Sequence, residues 1–132
     1  MTVSRRQSIG RDALLVGVGG AAGALARAGV GAVLPGPIGT LAVNVLGAFL
    51  LGLLLERFPG APRARLLLGT GVMGGFTTYS LLAVDVAQFT LDSQLAAAIG
   101  YAAATLILGG LASWLGILAG RAGRAGRTEP AA

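Results

Sequence analysis

Four apolar runs, each close to the length of a bilayer crossing, leave this chain little room for anything else. They cover Ala13–Val33, Ile38–Leu55, Leu66–Phe89 and Leu95–Leu118, and about 20 apolar residues suffice to cross a hydrocarbon core. Between them lie LPGP (Leu34–Pro37), ERFPGAPRAR (Glu56–Arg65) and TLDSQ (Thr90–Gln94). Pro and Gly stop helices in the first two, and the third is polar. Only 11% of the residues are charged, against about 25% in soluble domains. The expectation is an all-α membrane protein whose four transmembrane helices lie within residues 1–120. A disordered basic cytoplasmic tail is expected at 121–132.

The distribution of charge argues for topology rather than for nucleic acid. The net charge is +5 and every basic residue is arginine. Arg5, Arg6 and Arg11 precede the first span, Arg57, Arg63 and Arg65 lie between the second and third, and Arg121, Arg124 and Arg127 follow the fourth. Four crossings put these groups on one face, and neither opposite loop holds a basic residue. The positive-inside rule then predicts that both termini are cytoplasmic, in a multi-pass protein of the cell membrane. The stretch SRRQSIG, followed by an apolar run and Ala24–Ala26, also resembles a cleavable signal. Arg27 directly after the cut and three further spans favour a retained helix.

With no histidine or cysteine, disulfides, thiol catalysis and the usual soft-metal sites are excluded. Oxygen ligands remain, and they suit hard cations. No nucleophile–base pair suggests an enzyme. In the first span Gly17, Gly19 and Ala22 fit a loose dinucleotide pattern, but it has no preceding strand. Gly19 and Gly23 read better as a GxxxG packing face, and the fourth span repeats the idea at Ala112, Gly116 and Gly120. So much glycine implies close helix contacts and makes a dimer attractive.

Polar groups inside spans are functional candidates. Arg27 either snorkels to an interface or serves an anion entrance. Thr40, Asn44 and Gly47 share one helical face, and the Asn44 amide either ties two helices or donates to a passing anion. Tyr101, Thr105, Gly109 and Ser113 form a stripe, read as a polar lining although such hydroxyls often bond back to their own helix. Asp85 is the only carboxylate deep in a span, with its role open. The centre of the third span reads GGFTTYS (Gly74–Ser80). Two glycines followed by hydroxyls predict a helix broken at its centre, where freed carbonyls attract a hard cation and helix ends present dipoles.

GTLAVNVLG (Gly39–Gly47) followed by GTGVMGGFTTYS (Gly69–Ser80) in four spans resembles the Fluc (CrcB) family of fluoride channels. Arg27 and Tyr101 also fall at familiar places, Arg27 in a vestibule. The resemblance implies an antiparallel dimer with two pores that exports toxic fluoride from the cytoplasm by passive diffusion. It also implies a structural, non-transported Na⁺ at the dimer centre, held by the backbone carbonyls of Gly74 and Thr77. Asn44 would be the pore asparagine, and the anion path would include Tyr79, Ser80, Leu82, Tyr101 and Thr105. A central cation offsets repulsion between like charges.

Two departures qualify the resemblance. Where the family typically continues T-T-F-S-T-F, this chain has Thr77-Thr78-Tyr79-Ser80-Leu81-Leu82. Tyr79 keeps an electropositive ring edge, but Leu82 does not, so a pore relying on Leu82 should conduct poorly or not at all. The one-sided arginines also oppose insertion in both orientations. They favour an inverted, sequence-related partner over a homodimer. The rival readings are a scaffold subunit and a small proton-coupled multidrug-type transporter, which would need a titratable carboxylate such as Asp85.

Overall fold

The computed structural model describes the backbone of residues 3–125 and the side chains of residues 8–124. Arg5, Arg6, Arg127 and the end of the expected tail lie outside the residues whose side chains are described. Helix α1 spans Val3–Val33 and α2 spans Pro37–Arg57. Pro62–Ala64 (α3) runs into a π-helical segment, Arg65–Met73, and then into α4, Gly74–Phe76. Tyr79–Leu91 forms α5 and Leu95–Ala125 forms α6. Among the described residues there is no strand. Four stretches are long and apolar enough to cross a membrane: Ser8–Val33, Pro37–Arg57, Pro62–Leu91 and Leu95–Arg124. At 1.5 Å per residue, the 21 residues of α2 reach about 30 Å, the thickness of a hydrocarbon core.

The ends of these spans follow local chemistry. Pro37 and Pro62 occupy first-turn positions, where a missing N–H costs nothing. The second and third spans therefore start earlier than hydropathy alone suggests. Gly36 turns the chain between α1 and α2 with φ 76°, a conformation that favours glycine. At the other end α6 runs past Leu118 and carries Arg121 and Arg124 in helix. Glu56 explains why: Arg121 Nε lies 3.3 Å from Glu56 Oε1, and Arg124 Nη2 meets Oε2. The part of the expected tail that lies within the described residues is thus helical and clamped to the end of α2.

Two glycine seams hold the helices together. Along the first, α1 lies parallel to the third span. A Cβ on Gly19 would strike the Leu67 carbonyl, one on Gly23 the Val72 carbonyl, and one on Gly75 the Gly20 carbonyl. Gly71 meets Gly19 Cα to Cα in the middle of the contact, since a Cβ on Gly71 would lie 3.0 Å from it. Along the second seam, α2 and α6 also run parallel, with Phe49 beside Gly116 and Glu56 beside Gly120. Gly52 faces the Ser113 carbonyl, Gly116 the Phe49 carbonyl and Gly120 the Glu56 side chain. Both seams replace side-chain interdigitation by backbone contact, as small residues permit between helices in lipid.

Much large apolar surface stays outside, including Leu25, Val33, Ile38, Leu91 and Leu106. In water such exposure would be a liability; in a bilayer it is the lipid-facing surface. Gly23→Ala should therefore cost about 1–3 kcal/mol of stability, lowering the unfolding midpoint of the detergent-solubilised protein. Gly29→Ala, with nothing within 4 Å of the added carbon, should leave the midpoint unchanged or slightly raised. Equal effects of the two substitutions would contradict this account of the seams.

Candidate functional site

Between α4 and α5 the backbone leaves helical geometry for two residues. Thr77 has φ −75° and ψ 157°, and Thr78 has φ −148° and ψ 120°. The Thr77 N–H still reaches the Met73 carbonyl, but beyond it the extended backbone leaves the i→i−4 ladder, so the N–H and C=O of Thr78 need other partners. Asn44, reaching across from α2, supplies both for Thr78. The Thr78 N–H donates to Asn44 Oδ1 at 2.7 Å, and Asn44 Nδ2 donates to the Thr78 carbonyl at 3.0 Å. The amide thus pairs with one residue as a neighbouring strand would. Gly47, one turn along the same face, makes room for this approach: a Cβ there would collide with the Thr77 methyl and come within 3.3 Å of the Phe76 ring.

The hydroxyls complete the junction. Thr78 Oγ1 caps α5 by accepting from the Leu81 N–H at 3.2 Å, and it lies 3.1 Å from Ser80 Oγ. Thr77 donates through both N–H and Oγ1 to the Met73 carbonyl, each at 2.9 Å. These choices release two carbonyls. The N–H of Thr78 would ordinarily bond Gly74, and that of Leu81 would bond Thr77, but both are turned to other acceptors. Gly74 is exposed and Thr77 half-buried. The pair are carbonyl oxygens of the hard kind that hold Na⁺ or Ca²⁺.

An open cavity of about 200 Å³ lies against the junction, lined by Asn44, Thr77, Thr78, Tyr79 and Leu82. Of the anion-path residues expected from sequence, it gathers Asn44, Tyr79 and Leu82. Ser80 stands beside it, exposed, through its bond to Thr78. Thr105 lies elsewhere: it is buried, and its hydroxyl donates back to the Tyr101 carbonyl at 2.9 Å. The Tyr101 hydroxyl lies 3.0 Å from both the Pro37 carbonyl and Asp85 Oδ2, with its ring against Phe89 at 5.7 Å. Arg27 shares with Asp85 and Thr40 a second cavity of about 120 Å³. No ion pair joins Arg27 to Asp85 among the described residues.

Sequence reasoning passed over Thr78, the residue on which the junction turns. The signal was its place just before an apolar helix, where a threonine hydroxyl acts as an N-cap. Gly71 and Gly75, spaced like Gly19 and Gly23, were the unread half of the first seam.

A family model described as CrcB-like protein, Camphor Resistance (CrcB), matches residues 14–117, which include all the junction residues. The chain belongs to the CrcB family. Among its curated relatives, the fluoride-specific ion channel FluC 2 of Leifsonia xyli subsp. xyli is 46% identical over 136 residues, covering 91% of this chain and 94% of the relative. A fluoride-specific ion channel FluC of Thermus thermophilus is 42% identical over 118 residues, covering 83% of this chain and 94% of the relative. This CrcB chain is accordingly a multi-pass membrane protein, and its relatives are named as channels rather than enzymes.

Asn44→Ala removes both partners of Thr78 at once. It should cost about 1–3 kcal/mol for each backbone group left unpaired, seen as a lower unfolding midpoint. Ser80→Ala, on an exposed hydroxyl, should shift it little. An Asn44→Ala protein as stable as the parent would show that the amide does not hold the junction.

Proposed function

We propose that this CrcB chain supplies half of a fluoride channel, in which two inverted subunits let fluoride leave the cytoplasm by passive diffusion. The observation that carries the reading is the cavity joining Asn44, Tyr79 and Leu82 to the extended Thr77–Thr78 backbone. The channel names of its relatives supply the substrate. On this reading the third span is a helix broken near mid-membrane, since irregular backbone at that depth survives only against protein or a cavity. Asn44 has two amide hydrogens; one serves Thr78, and the other donates to the anion. Tyr79 is 82% exposed beside an open cavity, so in one chain the wall is unfinished. An antiparallel partner closes it and brings its own ring edge to the anion.

The carbonyls of Gly74 and Thr77 would hold the structural Na⁺ at the dimer centre. Their released oxygens fit that role, and two copies would offer twice as many. Bound there, the ion supplies fixed positive charge that keeps the two junctions together. Ser80 and Thr105 extend the hydroxyl track, Tyr101 orients Asp85 near the entrance, and Arg27 provides positive charge in the vestibule. Leu82 offers only methyl groups, so the pore it lines conducts weakly or acts as scaffold. With the arginines gathered on the cytoplasmic face of the cell membrane, both termini are cytoplasmic. The partner is then an inverted, sequence-related subunit, with the homodimer as the alternative.

Fluoride efflux from liposomes tests this directly, with the chain alone and with its candidate partner. Efflux should favour fluoride over chloride, need no pH gradient, rise with the partner, and fall when Na⁺ is removed. Absence of efflux in both preparations would refute the channel. A strict need for a pH gradient would instead favour proton coupling through Asp85.

A further inference from the structure

A separate cavity lies away from the junction, where α2 ends and the third span begins. It measures about 670 Å³ and is walled mainly by carbon, from Leu51, Leu55, Leu66 and Gly69, with Arg65 and Thr70 as its polar members. Arg65, Thr70 and Leu55 are exposed, so the groove opens to the surroundings of the helix bundle. Apolar walls at membrane depth gain nothing from water, and the groove's polar members point to an occupant with an acidic head.

Charge at this end of the molecule narrows the class. Glu56 pairs with Arg121 and Arg124, bringing the ends of α2 and α6 together. The parallel contact of Gly19 with Leu67 brings the start of α1 to the same end. Six described arginines gather there, Arg11, Arg57, Arg63, Arg65, Arg121 and Arg124, against two acids, Asp12 and Glu56. Glu56 is already taken by two of them. Arg57 is turned to α6, since a Cβ on Gly123 would come 2.7 Å from its Nη2. Arg65 is the arginine that lines the groove.

We propose that this groove binds one anionic phospholipid per chain, with the phosphate on Arg65 and Thr70 and an acyl chain along Leu51, Leu55 and Leu66. Guanidinium forks match phosphate oxygens, and basic pockets between membrane helices hold acidic headgroups. A zwitterionic lipid fills the same apolar space but gains less from the uncompensated arginines. The inference rests on the groove and its charge, not on fluoride conduction.

Native mass spectrometry of the delipidated, detergent-solubilised protein tests it by titration with dioleoyl phosphatidylglycerol and, separately, dioleoyl phosphatidylcholine. One phosphatidylglycerol per chain should bind more tightly than phosphatidylcholine, by about fivefold or more. Arg65→Gln should remove that preference. Arg57→Gln, the same charge change outside the groove, should leave it within about twofold. Gly69→Leu, which fills the groove beside Leu51, should weaken both lipids. Equal binding of the two lipids, or an Arg65→Gln protein that keeps the preference, would overturn the proposal. So would a Gly69→Leu protein that loses its dimer mass while lipid binding stays unchanged, which would make the groove a subunit contact. Fluoride efflux is a separate readout, so neither conclusion falls with the other.

Discussion

One side-chain amide paired with one backbone residue underlies the arrangement of this CrcB chain. Thr78 leaves helical geometry deep in an apolar span, where an unpaired N–H and C=O would each carry a desolvation cost. Asn44 meets both at once. The consequences run outward. Because Thr78 N–H goes to Asn44, the Gly74 carbonyl is released; because Thr78 Oγ1 takes the Leu81 N–H, so is the Thr77 carbonyl. The bond that makes irregular backbone tolerable also creates the oxygen ligands on which the proposed Na⁺ site depends.

That bond needs close helix approach, which the glycines provide. Gly47 admits Thr77 and Phe76 to the face of α2 that carries Asn44. The Gly19–Gly71 and Gly23–Val72 contacts fix the third span against α1, while Gly52 and Gly116 fix α2 against α6. In lipid, where apolar association has little driving force between helices, such backbone contact supplies the packing. The junction lies where the third span meets α2, and the open cavity beside it is lined by Asn44 from α2 and by Thr77, Thr78, Tyr79 and Leu82 from the third span. On the proposed reading, that open side, bearing Tyr79 and Leu82, is the surface an inverted partner would complete.

The number and placement of the spans were legible because hydropathy and turn residues both report a chain's relation to lipid. GxxxG at Gly19 and Gly23 was legible for the same reason. Span ends were less so. Pro37 and Pro62 look like breakers in a string of letters, yet at a first turn proline is compatible with helix. Arg121 and Arg124 read as tail until Glu56, far away in sequence, is found beside them. At the site, Asn44 stood out as a polar group in an apolar run, with helix tie and anion donor both open. Its pairing with Thr78 spans 34 residues, a separation that no local pattern encodes. Thr105 stands one turn from Tyr101, as the stripe spacing implies, and its hydroxyl donates back to the Tyr101 carbonyl, a partner that the stripe alone does not name.

The central claim is that Thr77 and Thr78 form an extended pair latched by Asn44 in the membrane-embedded protein. Solid-state NMR of the chain reconstituted in lipid measures this most directly, through the backbone carbon shifts of Thr77 and Thr78 and the contact of the Asn44 amide with Thr78. Extended shifts at both threonines, together with an Asn44–Thr78 cross-peak, are predicted. Helical shifts at both, with no such contact, would contradict the account.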